Sequence, residues 1–304
     1  MANSGKIQKP FLKWVGGKTQ IIEQVLQKVP KTISNYHEIF LGGGSVLLAI
    51  LSLQKEGKIT IKNKVYAYDL NDKLIDLYKH IQCNKELLYE FITEYSREYA
   101  SCEGNEINRK PKTIEEAKTS KESYYYWMRN LYNTRSEGTI EQAALFLVLN
   151  KTCFRGMYRE GPNGYNVPYG HYKTTPTIIT ASELNNISDL IKDVTFTCSD
   201  FSNSMKSRNI KKGDFLYLDP PYAPETATSF VGYTKDGFGT ENHQTLFELT
   251  DELNKCGIKL MMSNANVKLV SDFFKNYNLE QISCRRAINS KNPASIVTEL
   301  IITN

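Results

Sequence analysis

Segments with the apolar patterns of strands and of helices alternate along the N-terminal part of the chain. A β-favouring segment that begins at Tyr36 runs into a glycine turn, and the apolar residues 46–51 that follow have helical character. A further strand-like segment, 64–68, ends at Asp69 and precedes a helical pattern over 72–81. Alternation of strands and helices predicts a doubly wound, mostly parallel sheet of the α/β class.

This alternation stops between residues 84 and 191, where the chain is polar, rich in tyrosine and mostly helix-like or loop-like. Within that stretch, residues 140–149 form one strongly apolar segment that predicts a helix. We therefore predict an α/β domain in two parts, 1–83 and 192–304, split by an inserted, mainly helical domain at 84–191.

The alternation resumes after the insertion and ends in a different motif. Strand patterns occupy 194–198, 214–218 and 258–262, and a helical pattern occupies 244–254. Two final β-favouring segments, 279–288 and 295–303, flank the polar turn sequence 289–293. These segments predict a C-terminal antiparallel hairpin.

The composition is that of a soluble globular protein with a weakly basic charge. Of 304 residues, 40% are hydrophobic and 23% are charged, and the net charge is +5. That charge permits a polyanionic partner without requiring one. The six cysteines are scattered, which predicts free thiols in a reducing compartment. Because the apolar runs are too short for a membrane span and residues 1–10 lack a signal-peptide pattern, we expect a cytoplasmic protein.

The most specific local pattern is the corner Asp219-Pro220-Pro221-Tyr222, which ends the strand at 214–218. Each proline fixes its own φ and lacks an N–H group, so the carbonyls of Asp219 and Pro220 are rigid acceptors. With a carboxylate beside them and a ring beyond, the corner suits a planar amino group on a heteroaromatic ring. For an arbitrary Pro-Pro pair, an ordinary proline-rich turn is the better interpretation. The combination of all four residues directly after a strand favours a functional corner.

Residues 40–45 form a glycine-rich turn between a strand and a helix. Backbone N–H groups at such a turn can face a ligand that approaches closely. The turn only partly matches the dinucleotide-binding pattern, since Leu47 replaces its last glycine. Asp69 is placed to accept hydrogen bonds from a ribose diol or, like Asp72, to cap the next helix. Together, the turn and the acid favour nucleoside binding.

A second glycine motif, Gly17-Lys18-Thr19, is similar to the end of a phosphate-binding P-loop. The first glycine of that loop is missing, because Leu12 occupies its position, and no apolar strand leads into it. The pattern therefore argues against a nucleoside triphosphatase.

Residues 151–173 interleave basic and aromatic side chains and carry a single acid, Glu160. Cations contact phosphates and aromatic rings stack on unpaired bases, so this segment predicts a nucleic-acid surface. The alternative is a tyrosine-rich loop that packs on its own domain. Its glycines and Pro168 indicate a shaped loop suited to enter a groove.

Four motifs, in their order along the chain, resemble the Dam-like, D12-class DNA adenine-N6 methyltransferases of the α group. They are residues 11–18, the glycine turn at 40–45, the sequence NVPYG at 166–170 and the corner at 219–222. The resemblance extends from about Pro10 to the C-terminus. It implies S-adenosylmethionine as cofactor, double-stranded DNA as partner and target recognition inside the insertion. We expect no metal and a monomer in solution.

The resemblance also implies roles for single residues. It implies cofactor contacts for Trp14, Gly16, Lys18, Phe40, Gly42, Gly44, Ser45, Asp69, Asp200, Phe201 and Asp219. It implies DNA contacts for Lys13, Phe154, Arg155, Arg159, Pro168 and Tyr172. Arg155 stands where the family commonly has asparagine, and the tract 160–165 is shorter than in Dam. These departures leave the recognised sequence open, with GATC as the first candidate and CATG as the second.

The catalytic residues are predicted to be Asp219, Pro220, Pro221 and Tyr222. Acceptors in this corner are expected to concentrate the lone pair of adenine N6, while Tyr222 stacks on an adenine rotated out of the duplex. Methyl transfer is then a direct displacement without a covalent enzyme intermediate. Two alternatives stay open: a methyltransferase acting on RNA adenine or protein glutamine, and a DNA-binding homologue without catalysis. The existence of a cognate restriction endonuclease also stays open.

Overall fold

A computed structural model of the protein describes residues 7–224, 237–285 and 296–304. In these ranges the strands are β1 (Thr32–Ile33), β2 (Tyr36–Glu38), β3 (Thr60–Ile61), β4 (Val65–Asp69), β5 (Glu160–Gly161), β6 (Gly164–Tyr165), β7 (Val194–Cys198), β8 (Phe215–Leu218), β9 (Lys259–Ala265), β10 (Asn278–Arg285) and β11 (Ile296–Thr303). The main sheet formed by the described residues has seven strands in the order β10-β11-β9-β8-β2-β4-β7. Two short pairs, β1 with β3 and β5 with β6, lie outside it.

The main sheet is mostly parallel and carries one reversed strand near its edge. Neighbouring strands from β9 to β7 are parallel, whereas β11 is antiparallel to both β9 and β10. The predicted α/β class, with a mostly parallel sheet and a C-terminal antiparallel hairpin, is therefore confirmed. Residues 286–288 and 295 of the two predicted end strands, and the turn sequence 289–293, lie outside the described residues.

The central strands are continuous apolar runs because both faces of the sheet are covered. All four residues of β8 are buried. Strand β2 is also fully buried, although it carries the polar residues His37 and Glu38. The core beside the sheet includes Leu218, Leu246, Phe247, Leu260, Met262, Phe274, Leu300 and Ile302.

The segments predicted as helical at 46–51, 72–81, 140–149 and 244–254 each lie within a longer helix, whereas the helices at Phe201–Met205 and Lys268–Phe273 lie where no helix was predicted. The described helices are α1 (Ile22–Gln27), α2 (Ser45–Lys55), α3 (Asp72–Cys83), α4 (Lys85–Ser101), α5 (Ile114–Ala117), α6 (Lys121–Thr134), α7 (Ile140–Thr152), α8 (Ala181–Ile191), α9 (Phe201–Met205), α10 (Thr240–Lys255) and α11 (Lys268–Phe273), with 3₁₀ turns at Lys18–Gln20 and Phe154–Gly156. Side-chain oxygens of Ser120, Thr139 and Thr180 accept N–H groups in the first turns of α6, α7 and α8. Each such cap stabilises its helix by about 1 kcal/mol.

The chain divides into two compact units. The first contains Met1–Lys9, Lys18–Leu70 and Asp193–Asn304, and the second contains Pro10–Gly17 and Asn71–Lys192. The predicted boundary at residue 83 therefore differs from the boundary between these units. The reason is that the apolar face of α3 packs on α7 and α8, which belong to the second unit. The function of this second unit in target recognition stays a prediction.

Helix α7 lies at the centre of the second unit, where it packs against α3, α4 and α6. Its residues from Gln142 to Asn150 are all buried, as is Thr152. A helix that is buried on every side has no polar face, which explains the apolar run at 140–149. The buried polar residues of α7 must therefore find partners inside the unit.

No helix in the described ranges is both long and apolar enough to span a membrane. Free thiols are present at Cys83, Cys102, Cys153, Cys198 and Cys256, as the sequence predicts.

Candidate active site

The ligand-binding edge of the main sheet follows from the chain order of its strands. After β2 the chain adds β4 and then β7 on one side, whereas β8 and β9 lie on the other side. The order in which the chain adds strands therefore changes direction between β2 and β8. In open α/β sheets, ligands bind outside the carboxyl ends of the strands at such a point. The glycine turn leaves β2 and the corner at 219–222 leaves β8, so the topology brings these two motifs together.

The glycine turn is fixed by an acid from the neighbouring strand. Gly42 and Gly44 have φ values of 49° and 66°, a region that glycine adopts without steric cost. The N–H group of Gly42 donates to Oδ2 of Asp69 at 2.8 Å. Asn71, rather than Asp69 or Asp72, caps α3 by accepting the N–H group of Leu74. The helix-cap interpretation of Asp69 is therefore wrong, and its carboxylate faces the glycine turn.

Lys18 and Asp219 form an ion pair at the start of the corner. Both carboxylate oxygens of Asp219 lie 2.6 Å from Nζ of Lys18. The Lys18 side chain is 3% exposed and the Asp219 side chain is 19% exposed. The backbone N–H group of Lys18 also donates to Oγ of Ser45, the first residue of α2, at 3.1 Å. Burial raises the pKa of the Asp219 carboxyl, and the ammonium of Lys18 opposes that effect. Lys18 is thus paired with a carboxylate of the neighbouring corner.

The rest of the corner combines a buried proline with a partly exposed ring. Pro220 is buried, whereas Pro221 and Tyr222 are each partly exposed. The ammonium of Lys18 lies 5.0 Å from the centre of the Tyr222 ring, within the range of a cation–π interaction. One cation therefore contacts both the acid and the ring of this motif.

A further carboxyl group, Glu38, lies at the end of β2 and was missed by the sequence reasoning. Its side chain is 2% exposed and accepts a hydrogen bond from the Tyr36 hydroxyl at 2.7 Å. Burial raises the pKa of Glu38 well above its usual range, and the nearby charges of Asp219 and Asp69 add to this effect. An acid in a strand that runs directly into the apolar residues Ile39 and Phe40 was the signal that could have revealed it.

Phe40 and Phe201, two of the residues assigned to the cofactor, contact each other. Their ring centroids are 5.7 Å apart, and Phe238 packs on both at 6.2 and 5.5 Å. Asp200 caps α9, because its carboxylate accepts the N–H group of Ser202 at 2.8 Å. Aromatic faces at this edge of the sheet can stack on a flat heterocycle.

In the second unit, Asn150 joins the N-terminal motif to the basic-aromatic loop. Its Oδ1 accepts the N–H group of Lys13 at 2.9 Å, and its Nδ2 donates to the carbonyls of Lys13 and Gly156 at 2.8 and 3.3 Å. Sequence reasoning missed this residue because it continues the apolar run of α7. One buried amide therefore fixes two segments to which DNA contacts were assigned.

Tight backbone geometry shapes the first part of that loop. Gly156 has a φ of 66°, and a Cβ atom there would lie 2.2 Å from Cβ of Lys13. Arg155 also has a positive φ, 56°, and its guanidinium lies 5.2 Å from the centre of the Phe154 ring. The Phe154 side chain is 41% exposed, an unusual state for a large aromatic residue. An exposed ring on a constrained turn is available for stacking.

The remaining residues assigned to DNA lie in the same loop. Nε of Arg159 donates to Oδ1 of Asn166 at 2.6 Å, which orients the exposed guanidinium. The carbonyl of Pro168 accepts the N–H group of Phe154 at 2.8 Å and so joins the two sides of the loop. The ammonium of Lys13 donates to the Tyr172 hydroxyl at 2.9 Å and lies over its ring.

Trp14 and Gly16 belong to the second unit, whereas Lys18 belongs to the first. The Trp14 ring stacks on Tyr158 with 5.9 Å between the ring centroids. Gly16 has a φ of 81° in the turn that follows. The cofactor contacts implied for these two residues stay predictions.

Comparison with known proteins identifies the family. A model of the D12 class of N6 adenine-specific DNA methyltransferases matches residues 14–288. The chain belongs to this family. The resemblance of the four motifs is therefore confirmed, and the reaction class is methylation of adenine in DNA.

Several relatives resemble this D12-class chain along nearly its whole length. The type II methyltransferase M.MjaIII of Methanocaldococcus jannaschii is 34% identical over 97% of the chain and 99% of its own length. The type II methyltransferase M1.LlaDCHI of Lactococcus lactis subsp. cremoris is 29% identical over 97% of the chain and 95% of its own length. A DNA adenine methylase of Haemophilus influenzae is 28% identical, covering 94% of the chain and 89% of its own length.

Membership of the D12 class implies S-adenosylmethionine as cofactor, and the residues of the first unit fit this molecule chemically. Asp69 has a carboxylate of the kind that accepts ribose hydroxyls, the glycine turn lets a ligand approach its backbone closely, and Phe40 and Phe201 have aromatic faces. The described residues contain no group of three or more His, Cys, Asp or Glu side chains that could hold a metal ion.

Replacing Asn150 with alanine is expected to lower the free energy of unfolding of the second unit by about 2–4 kcal/mol. The substitution removes Asn150 as partner of the N–H group and carbonyl of Lys13 and of the carbonyl of Gly156. A buried group left unpaired costs about 1–3 kcal/mol, and the two partly buried groups of Lys13 cost less than that because water can reach them. Both tryptophans, Trp14 and Trp127, belong to this unit, so urea unfolding followed by tryptophan fluorescence reports on it.

The matched control is Asn163→Ala, which alters an exposed asparagine in the same loop. It should leave the urea midpoint unchanged. Equal midpoints for the two variants would contradict the function of Asn150 in joining these segments.

Proposed function

We propose that this protein transfers the methyl group of S-adenosylmethionine to N6 of an adenine in a short duplex DNA site. GATC is the first candidate site and CATG the second. The ion pair between Lys18 and Asp219 carries this proposal. In this pair, the carboxylate at the start of the corner 219–222 has a cation as its partner and lies beside the rigid carbonyl of Pro220. The family membership supports the reaction class, and the relatives named DNA adenine methylase support adenine as target.

The cofactor is proposed to bind along the carboxyl edge of the main sheet. When bound, S-adenosylmethionine supplies an electrophilic methyl group on a sulfonium centre. Asp69 is assigned to the ribose hydroxyls, and Asp200 and Phe201 are assigned to the adenine ring. Phe40, Gly42, Gly44 and Ser45 are assigned to the methionine end, with Lys18 and Asp219 beside it. The contact between Gly42 and Asp69 supports this arrangement, since it orders the turn before any ligand arrives.

The corner is proposed to activate adenine N6, whose lone pair is delocalised into the ring. The Asp219 carboxylate and the Pro220 carbonyl accept hydrogen bonds from the two N6 hydrogens, which favours a pyramidal nitrogen. Pro221 keeps the Pro220 carbonyl extended, because a proline disfavours helical geometry in the residue before it. Acceptors that are already in place stabilise the developing charge without reorganisation. Lys18 helps to keep the Asp219 carboxylate charged.

The target adenine is proposed to leave the duplex before it reaches this corner. A paired N6 cannot approach a buried methyl donor, and enzymes that act on bases therefore rotate them out of the stack. Tyr222 presents a partly exposed ring on which the extruded adenine can stack. Phe154 is proposed to fill the gap left in the duplex, supported by its exposed ring on a constrained turn.

Recognition of the DNA sequence is proposed to reside in the basic-aromatic loop and in Lys13. Arginine reads guanine through two parallel hydrogen bonds, and both candidate sites contain guanine. Arg159, oriented by Asn166, is assigned to such a contact. Lys13, Arg155, Pro168 and Tyr172 are assigned to further contacts with DNA.

Sequencing of modified bases in DNA from cells that express the protein tests this proposal. The host should lack its own adenine methylation, and the expected result is N6-methyladenine at one short sequence. Incubation of the purified protein with tritiated cofactor and either DNA or RNA separates the two substrates. Incorporation into RNA alone, or none into either nucleic acid, would refute the proposal.

Replacing Lys18 with methionine is expected to move the acidic limb of the pH profile for turnover to higher pH. The Asp219 carboxylate must be ionised to accept a hydrogen bond, so activity falls as pH drops through its pKa. Burial already raises that pKa, and loss of the opposing ammonium raises it further. The turnover number is measured against pH at saturating cofactor and DNA.

Lys62→Met, which removes an exposed cation from the same unit, serves as the control and should keep the wild-type profile. An unshifted acidic limb in a folded Lys18→Met enzyme would show that the ionisation of Asp219 does not limit turnover.

A further inference from the structure

The ring of Tyr222 is tethered through its hydroxyl group. The Tyr222 hydroxyl donates to Oε2 of Glu299 at 2.7 Å, although the two residues are 77 positions apart. The next residue is also held, because the N–H group of Ala223 donates to Oδ1 of the buried Asn264 at 3.0 Å. Side chains from β11 and β9 therefore fix the segment that follows the two prolines.

The reversed direction of β11 explains how Glu299 reaches this place. Glu299 lies opposite Ala265, the last residue of β9, so the first half of β11 lies at the carboxyl edge of the parallel strands. A parallel strand at this position would place its first residues at the opposite edge. The antiparallel hairpin thus brings a carboxylate to the candidate active site from the C-terminal end of the chain.

Packing does not account for an acid at this position. The three residues that follow Glu299 along β11 are apolar and buried, with Leu300, Ile301 and Ile302 at most 2% exposed. A partly buried carboxylate loses hydration, so its hydrogen bond to the tyrosine offsets a cost that an apolar residue would avoid. Burial, followed by the charges of Asp219 and Glu299, raises the pKa of the Tyr222 hydroxyl well above its usual range. That hydroxyl therefore remains a donor at any physiological pH.

We propose that Glu299 is a positioning residue for methyl transfer, because its hydrogen bond to the Tyr222 hydroxyl holds the ring at the angle required for stacking on the target adenine. This inference rests on the proposed function. A tyrosine side chain rotates about two bonds, and a tether on its hydroxyl oxygen restricts the rotation about Cα–Cβ, which moves that oxygen. The rotation about Cβ–Cγ leaves the oxygen in place, but the phenolic hydrogen prefers the plane of the ring, so the direction of the hydrogen bond to Glu299 favours one ring angle. The ring is then ordered before the base arrives, so less entropy is lost during stacking.

A double-mutant cycle with Glu299→Ala and Tyr222→Phe tests this inference. Each single variant removes the same hydrogen bond, and each should lower the turnover number by about tenfold, the effect typical of a charged hydrogen bond. The double variant should lose no more than either single variant, because the second substitution has nothing further to break. Glu299→Gln keeps an acceptor oxygen and should restore most of the activity. The cofactor KM should stay constant across the series.

Gln281→Ala, an exposed substitution on the adjacent β10, is the matched control and should keep wild-type turnover. Thermal unfolding shows whether Glu299→Ala is folded. If it is not, Tyr222→Phe and Glu299→Gln decide the question, since both keep the ring and the shape of the site. Wild-type turnover in Tyr222→Phe, or losses that multiply in the double variant, would overturn the inference while leaving the proposed function intact. A wild-type protein that transfers no methyl group to DNA would overturn both.

Discussion

Replacing Asp219 with alanine is expected to lower the turnover number for methyl transfer by about 10³-fold at saturating cofactor and DNA, the effect of removing one preorganised polar group. The substitution removes one of the two acceptors proposed for the N6 hydrogens. It also removes the carboxylate whose two oxygens each lie 2.6 Å from Nζ of Lys18, a side chain that is only 3% exposed. Turnover is measured by tritiated methyl incorporation, and cofactor affinity is measured separately by equilibrium binding.

The separate measurement of affinity distinguishes two functions of Asp219. A loss of turnover at saturating cofactor supports activation of N6, whereas a loss of cofactor affinity alone assigns Asp219 to binding. Asp193→Asn alters an exposed acid of the same unit and should keep wild-type activity. Circular dichroism confirms folding, because breaking a buried ion pair also costs stability. Wild-type turnover in the folded alanine variant would refute the proposed mechanism.

Replacing Arg159 with alanine is expected to lower kcat/KM for the recognised duplex by about 10- to 100-fold and to reduce discrimination at one base pair. A guanidinium that contacts guanine through two hydrogen bonds contributes binding free energy at the recognised sequence, but not at sequences that lack this guanine. Asn166 orients this guanidinium through Nε, so the side chain is already directed before DNA binds. The measurement compares kcat/KM for the recognised duplex with that for duplexes changed at single positions.

Two further variants separate a base contact from a phosphate contact. Arg159→Lys keeps the charge but cannot form two parallel hydrogen bonds, so it should lose discrimination almost as fully as alanine. Asn163→Ala changes an exposed, uncharged residue of the same loop and should behave as wild type. If Arg159→Ala weakens all duplexes equally, Arg159 contacts phosphate and the specificity lies elsewhere in the loop.

Strands of the main sheet could be predicted from local sequence because each is a short, β-favouring run between polar residues. The segment 194–198 matches β7 in both bounds, and the segment 64–68 with Asp69 contains all of β4. Parallel strands have their carboxyl ends at one edge of a sheet. The two motifs that follow β2 and β8 could therefore be assigned to one edge.

The boundary between the two units at Leu70 and Asn71 could not be predicted in the same way, and the sequence placed it at residue 83 instead. Helix α3 continues the local alternation of strand and helix, which indicated the α/β domain. Its buried residues Leu74, Leu77, Tyr78 and Ile81 belong instead to a face that packs in the second unit. Periodicity shows that a helix has an apolar face, but it does not show which neighbour covers that face.

The fold class, the family and the residues of the corner were evident without coordinates, because they depend on short motifs and on the alternation of elements. The side chains that hold those motifs in place became evident from the three-dimensional packing. Asn150 binds Lys13 across 137 positions, and Glu299 binds Tyr222 across 77. Such pairs depend on helix packing and on the direction and register of strands, which short local patterns do not specify. The corner was therefore evident from four consecutive residues, whereas its partners Lys18 and Glu299 were brought to it by the fold.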